Sequence, residues 1–350
     1  MSQALRDIQS AFGAVIEADI PVSFGNDAAA LQAAIAGVAL YDRTHWGRVR
    51  VTDADRLSFL HNQSSNDFKI LKPGQGCDTV FLTSTARTID LTTAYVLADA
   101  VLLLTSPGQS QPVMSFLDRY IFFADKVKLT DVTTATVAFS LLGSASHALL
   151  KKLGAGAIVG QGYASHQTLP VAGQDVLVAV GSGLATEGYT LIAAVEQAAS
   201  LWQSLLEAEA VPLGDRLWEQ LRIQQGRPMP GHELTEDYNP LEAGLWQTIS
   251  FNKGCYIGQE TIARLDTYKG VKQQLWGVRL SRAIARGTPV TLGADKVGTL
   301  TSITQADQGY LGLAYIRTKA EATAGLKVQI GDEAEAELLD LPFVTRDRQS

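Results

Sequence analysis

The spacing of apolar positions along the chain changes several times, and each change marks an element. "AAALQAAIAG", preceded by Asn26 and Asp27, reads as an alanine-rich helix with an N-cap, and Gly37 is placed to stop it. "GRVRVT" (Gly47–Thr52) alternates as a strand does, and "DADRLSFLHNQ" reads as a helix capped by an aspartate, with Leu57, Phe59 and Leu60 on its apolar side. Between Cys77 and Ser106 the segments "CDTVFLTS", "RTIDLTTAYVLA" and "AVLLLTS" read as a run of strands. Val113, Phe116, Leu117, Tyr120 and Ile121 recur at helical spacing and predict a helix over 111–123. Strands are expected at "KVKLTDV", "TVAFSLLG", "DVLVAV" and "GYTLIAA", with "GAGAIVGQG" (Gly154–Gly162) as an exposed loop. Helices follow over 195–210 and 215–225, the second stopped by Gly226 ahead of Pro228.

From Lys272 onward the pattern is different. "QQLWGVRL", "TPVTL", "KVGTLTSIT", "YLGLAYI" and "KVQIG" are short strands at regular spacing, which predicts a separate small β-barrel or sandwich. The change of pattern near Thr267–Val271 divides the chain into an α+β region over 1–268 and a barrel over 269–350. The order of elements before the barrel is not a regular βαβα repeat, and neither G-x-G-x-x-G nor a P-loop is present, so the class is α+β rather than a nucleotide-binding α/β fold.

Composition narrows the function. A hydrophobic fraction of 46% supports a packed core, and a net charge of −7 argues against a general nucleic-acid binder. No apolar run approaches the ~20 residues of a membrane helix, and the first residues lack the pattern of a secretory signal. The expected location is cytoplasmic, or an organellar matrix or stroma if a transit peptide has been removed, and the chain is expected to act as a monomer. Two cysteines, Cys77 and Cys255, make neither a disulfide framework nor a zinc site, and the five histidines have no ligand spacing, so no metal site is expected.

Cys255 lies in "FNKGCYIGQETIAR". Lys253 precedes it by two residues, and "GQETIARL" reads as a short helix from Gly258 with Glu260 in its first turn. A cation and a helix start both favour the thiolate over a thiol of ordinary pKa ~8.5. Tyr256 and Ile257 read as core plugs that pin the loop, and Gly254 and Gly258 let the backbone turn on either side of the thiol. Two readings stand: a reactive thiol held at a surface, or a small buried apolar residue. A Cys–His pair would need His232 or His45 close in space. Cys77 opens an apolar strand, where burial disfavours the thiolate.

"KGCYIGQE" (Lys253–Glu260) resembles the signature of the YgfZ family, folate-binding proteins related to the T-protein of the glycine cleavage system, an aminomethyltransferase. "YDRTHWGRVRVTDADRLSFLHNQSSNDF" (Tyr41–Phe68), "ATEGYTLI" (Ala185–Ile192), "LRIQQGRPMPGHELTEDYNPLEAGL" (Leu221–Leu245) and "VGTLTSI" (Val297–Ile303) resemble T-protein segments in the same order, over nearly the whole chain. The resemblance implies a GcvT/YgfZ-like, three-lobed fold, in which the region over 1–268 holds two α+β lobes, with tetrahydrofolate in a central channel. It implies that Glu187 holds the pterin, since a carboxylate can accept two hydrogen bonds from the aminopyrimidine edge. Tyr189 would line the same pocket, and Arg222 would meet a carboxylate of the ligand or form a structural ion pair.

Departures from the T-protein pattern bear on the reaction. Where T-proteins carry an Asp-Asp run this chain has "ARTIDL", keeping Asp90 and placing Leu91 next to it; the strand "LLLTS" ends in Thr105 and Ser106 rather than asparagine; and Gln224 replaces the glutamate of L-R-x-E. The YgfZ resemblance implies an accessory factor for assembly or repair of iron–sulfur clusters, particularly [4Fe–4S], in client proteins. Cys255 would be the working thiolate, holding a cluster component or exchanging with a sulfur species, and Lys253 would supply positive potential beside it. The alternatives are a folate-dependent aminomethyltransferase using Asp90 as its acid–base group, and a folate-binding interaction protein without catalysis.

Overall fold

The computed structural model describes residues 2–306, 309–331 and 334–348. The chain forms two compact units: Met1–Leu60 with Phe68–Asp78 and Thr92–Trp218, and His61–Asp67 with Thr79–Leu91 and Glu219–Ser350.

The first unit is organised on a six-stranded sheet. Its order is His166–Val171, Gln174–Val180, Gly188–Ala194, Thr136–Leu142, Ala39–Asp42 and Val211–Leu213, antiparallel except for the last pair. Sheet residues Val137, Phe139, Leu141 and Leu191 are fully buried with Leu5 of the helix Gln3–Ala11 and with Leu201, Trp202 and Leu205 of the helix Ala198–Glu207. A second set of strands in this unit pairs Trp46–Thr52 with Ala100–Pro107 and with Lys128–Asp131. Val49, Val51, Val101 and Leu103 are fully buried there.

Three local expectations are corrected. The helix over 111–123 is Ser110–Asp118 and stops early. Phe122 and Asp125 then close a small turn, with the Phe122 amide donating to the Asp125 carboxylate at 2.7 Å, which leaves Phe122 and Phe123 exposed. The Asp55 carboxylate does not cap its own helix, Arg56–Gln63, but accepts the Lys126 amide at 2.9 Å. Within "GAGAIVGQG", Ala155 and Ile158 are buried in the core of this unit and Gly156–Ile158 is a turn of 3₁₀ helix. A glycine-rich composition hid two inward side chains.

The second unit contains a closed six-stranded barrel. Its order is Gln273–Leu280, Gly309–Arg317, Asp295–Ala306, Pro289–Leu292, Lys327–Ile330 and Ala334–Leu339, closed by pairing of the first and last strands. Val278, Leu280, Val290, Leu300, Ala314, Ile316, Val328 and Ile330 fill it. The sixth strand, "AEAELL", escapes sequence reading because its inward positions are Ala334, Ala336 and Leu338, with Glu335 and Glu337 between them. Beside the barrel, Leu91, Val80 and Ala86 share a second core with Tyr256, Ile262 and Trp246.

Candidate functional site

In the first unit, two residues singled out from the sequence meet a third that was not. Glu187 lies immediately before the strand Gly188–Ala194. Gly188 has φ +157°, and a Cβ there would fall 1.9 Å from the Leu141 carbonyl, so only glycine allows this approach to the neighbouring strand. The Glu187 carbonyl accepts the Gly143 amide at 2.8 Å, and the Ser182 hydroxyl holds the Thr186 carbonyl at 2.6 Å. The backbone is thus fixed while the Glu187 side chain stays 70% exposed. His147 Nε2 lies 3.8 Å from the Glu187 carboxylate, and its Nδ1 shares a 2.7 Å hydrogen bond with the Tyr189 hydroxyl. Burial, with the Glu187 charge adding to it, raises the Tyr189 pKa and keeps the phenol protonated. His147 sits on the helix Ser146–Lys152, and no spacing in the sequence links it to residues some forty positions later.

The thiol segment lies in the second unit. Lys253 is buried, and its ammonium donates to the carbonyls of His61, Ser64 at 2.6 Å and Asn66 at 2.9 Å. All three donors of the ammonium therefore have acceptors, which is what a buried cation requires. Its nitrogen also lies 4.7 Å from the centre of the Tyr256 ring. Tyr256 is buried in the core beside the barrel, and Ile257 is half-buried. Gly258 takes φ +83° at the start of the helix Gln259–Thr267, where a Cβ would lie 2.8 Å from the Thr83 carbonyl. Between these anchors Gly254 and Cys255 are exposed. Cys77 is half-buried rather than buried, because it stands near the start of the strand Gly76–Leu82, ahead of the strand's buried run.

Neither histidine named for a Cys–His pair is the one against the thiol segment. His45 lies 3.6 Å from Asp215 in the first unit, and His232 contacts Ser302 at 3.1 Å. The imidazole against this segment is His61, whose Nε2 would be 3.7 Å from a Cβ built on Gly254, while its Nδ1 meets Asp67 at 3.0 Å.

Arg222 is fully buried in the second unit, on the helix Asp215–Gln225. Its guanidinium donates to Glu233 at 2.8 Å, to both oxygens of Glu219 at 2.8 and 2.5 Å, and to Ser302 at 2.9 Å. Burial works against its charge, but the Glu233 and Glu219 carboxylates outweigh it and raise the pKa. A bulge in the barrel strand at Leu300–Ser302 brings both Thr301 and Ser302 hydroxyls onto Glu233, at 2.7 and 2.6 Å. This cluster joins the helix to the barrel strand inside one unit. Asp90, on the strand Thr88–Val96, is fully buried, and Leu91 beside it is part of the apolar core. Among the described residues no group of three His, Cys, Asp or Glu side chains is placed to hold a metal ion, and no helix is long and apolar enough to cross a membrane.

With that geometry in view, comparison with known proteins is specific. The sequence model for the GCVT N-terminal domain matches residues 1–253. A chloroplastic protein of Arabidopsis thaliana, named provisionally as a transferase, is 46% identical over 336 residues, 95% of this chain and 78% of that protein. An aminomethyltransferase of Rubrobacter xylanophilus is 28% identical over 336 residues, 94% of this chain and 89% of its own length. The crystal structure of the glycine cleavage system aminomethyltransferase T from Bartonella henselae superposes with a TM-score of 0.85 at 20% identity, covering 99% of both chains. The fold, with its C-terminal six-stranded barrel, is that of this GcvT-like aminomethyltransferase.

Proposed function

Since the chain belongs to the GCVT N-terminal domain family, we propose that it is a YgfZ-like, tetrahydrofolate-binding accessory protein for iron–sulfur enzymes, with Cys255 as its working thiol. Proteins of this family bind tetrahydrofolate. When bound, the folate supplies a carrier for one-carbon units. Glu187 fits that ligand: its carboxylate is exposed, and among the described residues its ion-pair contact is a histidine at 3.8 Å, leaving acceptor capacity for the paired N–H groups of a pterin. Tyr189 and His147 hold each other beside it and fix the wall of that position. Arg222 contributes differently, because its donors are engaged by Glu233, Glu219 and Ser302 within the protein.

The observation that carries the proposal is the exposed thiol on an anchored segment. Cys255 stands two residues from a lysine riveted to three carbonyls and three residues from a left-handed glycine that opens a helix. A loop held this firmly presents its thiol without needing to reorganise. The thiolate would act as one ligand to iron of the cargo cluster, the client protein supplying the others. The location of the activity is the cytoplasm, or an organelle, as for the Arabidopsis relative, which is named chloroplastic.

The test is complementation in a host lacking its own copy of the gene, with activities of [4Fe–4S] enzymes as the readout. Wild type restores them and Cys255→Ser does not. Full restoration by Cys255→Ser overturns the role of the thiol. A second reading, aminomethyl transfer with Asp90 as acid–base group, draws on the relatives named aminomethyltransferase and on the retained, buried carboxylate. The apolar Leu91 speaks against it, and robust turnover with a lipoyl carrier protein would establish it.

A further inference from the structure

The second unit carries a cleft of about 910 Å³ that the folate and thiol readings leave unused. Its walls come from the helix Gln259–Thr267, the turn that follows it, the ends of two barrel strands and the loops around Arg87 and Asp237. Six cationic side chains line it: Arg87, Arg264, Lys269, Lys272, Arg317 and Lys319. Against them stand two carboxylates, Asp237 and Glu242. In a chain of net charge −7, such a concentration of positive charge in one concavity is a local field of the opposite sign to the protein's own.

We propose that this cleft docks an acidic peptide segment of a protein partner. The positive charges give the sign of the ligand, and the rest of the lining gives its kind. Among the described residues no aromatic ring lines the cleft, so they offer no platform on which a nucleotide base could stack. The volume lies near the upper end of small-ligand sites, far larger than one phosphate needs. The wall also carries acceptors. The Asp237 carboxylate is exposed on it, and the hydroxyls of Thr85 and Thr261 can accept as well as donate. A chain of phosphates offers acceptors only and would meet Asp237 with repulsion, whereas a peptide backbone presents N–H donors between its acidic side chains.

Two cations are already aimed by backbone contacts. Arg87 donates to the Asp237 carbonyl at 2.9 Å, and Arg317 donates to the Lys296 carbonyl at 3.2 Å. Glu242, 6% exposed, is turned inward and accepts the Asn239 amide at 3.1 Å. The helix that supplies Thr261 and Arg264 begins four residues after Cys255, so a partner seated in the cleft binds the element that follows the thiol segment. The inference stands apart from the folate and cluster readings.

Fluorescence anisotropy with the full-length protein tests it. The probe is a fluorescein-labelled synthetic peptide of alternating glutamate and serine, with the lysine–serine peptide as its control and tripolyphosphate as competitor. The acidic peptide binds saturably and more weakly as salt rises, the lysine peptide does not bind, and the double variant Arg264→Glu, Lys272→Glu lowers affinity by roughly tenfold or more. Both residues are exposed, so melting temperature is the check on folding, and Lys319→Glu supplies a second variant at another wall. Absence of binding by the acidic peptide overturns the proposal. So does unchanged affinity in the folded variants, or tighter binding of tripolyphosphate than of the peptide, which makes the cleft a small-anion site.

Discussion

The ammonium of Lys253 donates to the carbonyl of Ser64 at 2.6 Å, across almost two hundred residues of sequence. With the His61 and Asn66 carbonyls it completes a cage of three acceptors around a buried cation. The lysine that stands beside Cys255 in the sequence is therefore the bolt that ties the thiol loop to the 61–66 segment.

Lys253→Met should lower stability by about 2–4 kcal/mol, since three carbonyls lose a charged donor at once. Urea unfolding of the variant checks this. A midpoint equal to that of wild type would leave the lysine with no structural part.

Cys255 should alkylate before Cys77 in the native protein, since one thiol is exposed and the other half-buried. A time course of native-state labelling with mass-spectrometric mapping gives the order. Labelling of Cys77 first would overturn the assignment of Cys255 as the accessible thiol.

Glu187→Ala should weaken folate binding by about 1.5–3 kcal/mol, the worth of hydrogen bonds to a charged acceptor. Because the side chain is 70% exposed, the melting temperature should stay where it is. Calorimetry with tetrahydrofolate or folinic acid measures the affinity, and an unchanged value removes Glu187 from the site.

Arg222→Leu should cost about 3–5 kcal/mol, because Glu233 is left as a buried carboxylate without its cation. Arg222→Lys should recover only part of the loss, since a single ammonium cannot serve Glu233, Glu219 and Ser302 together in the directions the guanidinium reaches. Thermal unfolding of the two variants side by side decides it.

Asp42 gives the acid limb of stability. Burial pushes its pKa up, but the attraction of Arg6 at 2.7 Å and hydrogen bonds from Gln9 and Thr44 outweigh burial and hold it below the usual carboxylate range. A depressed folded pKa means the contribution is present above the unfolded value and is lost as pH falls below about 4. Asp42→Asn should be less stable at neutral pH and should lose less on acidification. Urea midpoints across pH 3–7 measure both slopes.

Strand and helix periods alone were enough to place much of the secondary structure, because each element was specified by its own side chains. The helix Asp215–Gln225 is bounded by Gly226, and strands such as Thr136–Leu142 and Gly188–Ala194 are largely apolar runs flanked by turn residues. The anchored thiol loop was also legible, in Gly258, Tyr256 and the lysine two residues before Cys255, because its constraints are local. What Lys253 does was not, since its acceptors are backbone carbonyls, which look alike in every sequence. The same holds for His147 against Tyr189 and His61 against Gly254, pairs that only strand order and loop packing bring within reach. The six cations of the cleft are scattered from Arg87 to Lys319, and their charge becomes a single field only when the fold gathers them on one surface.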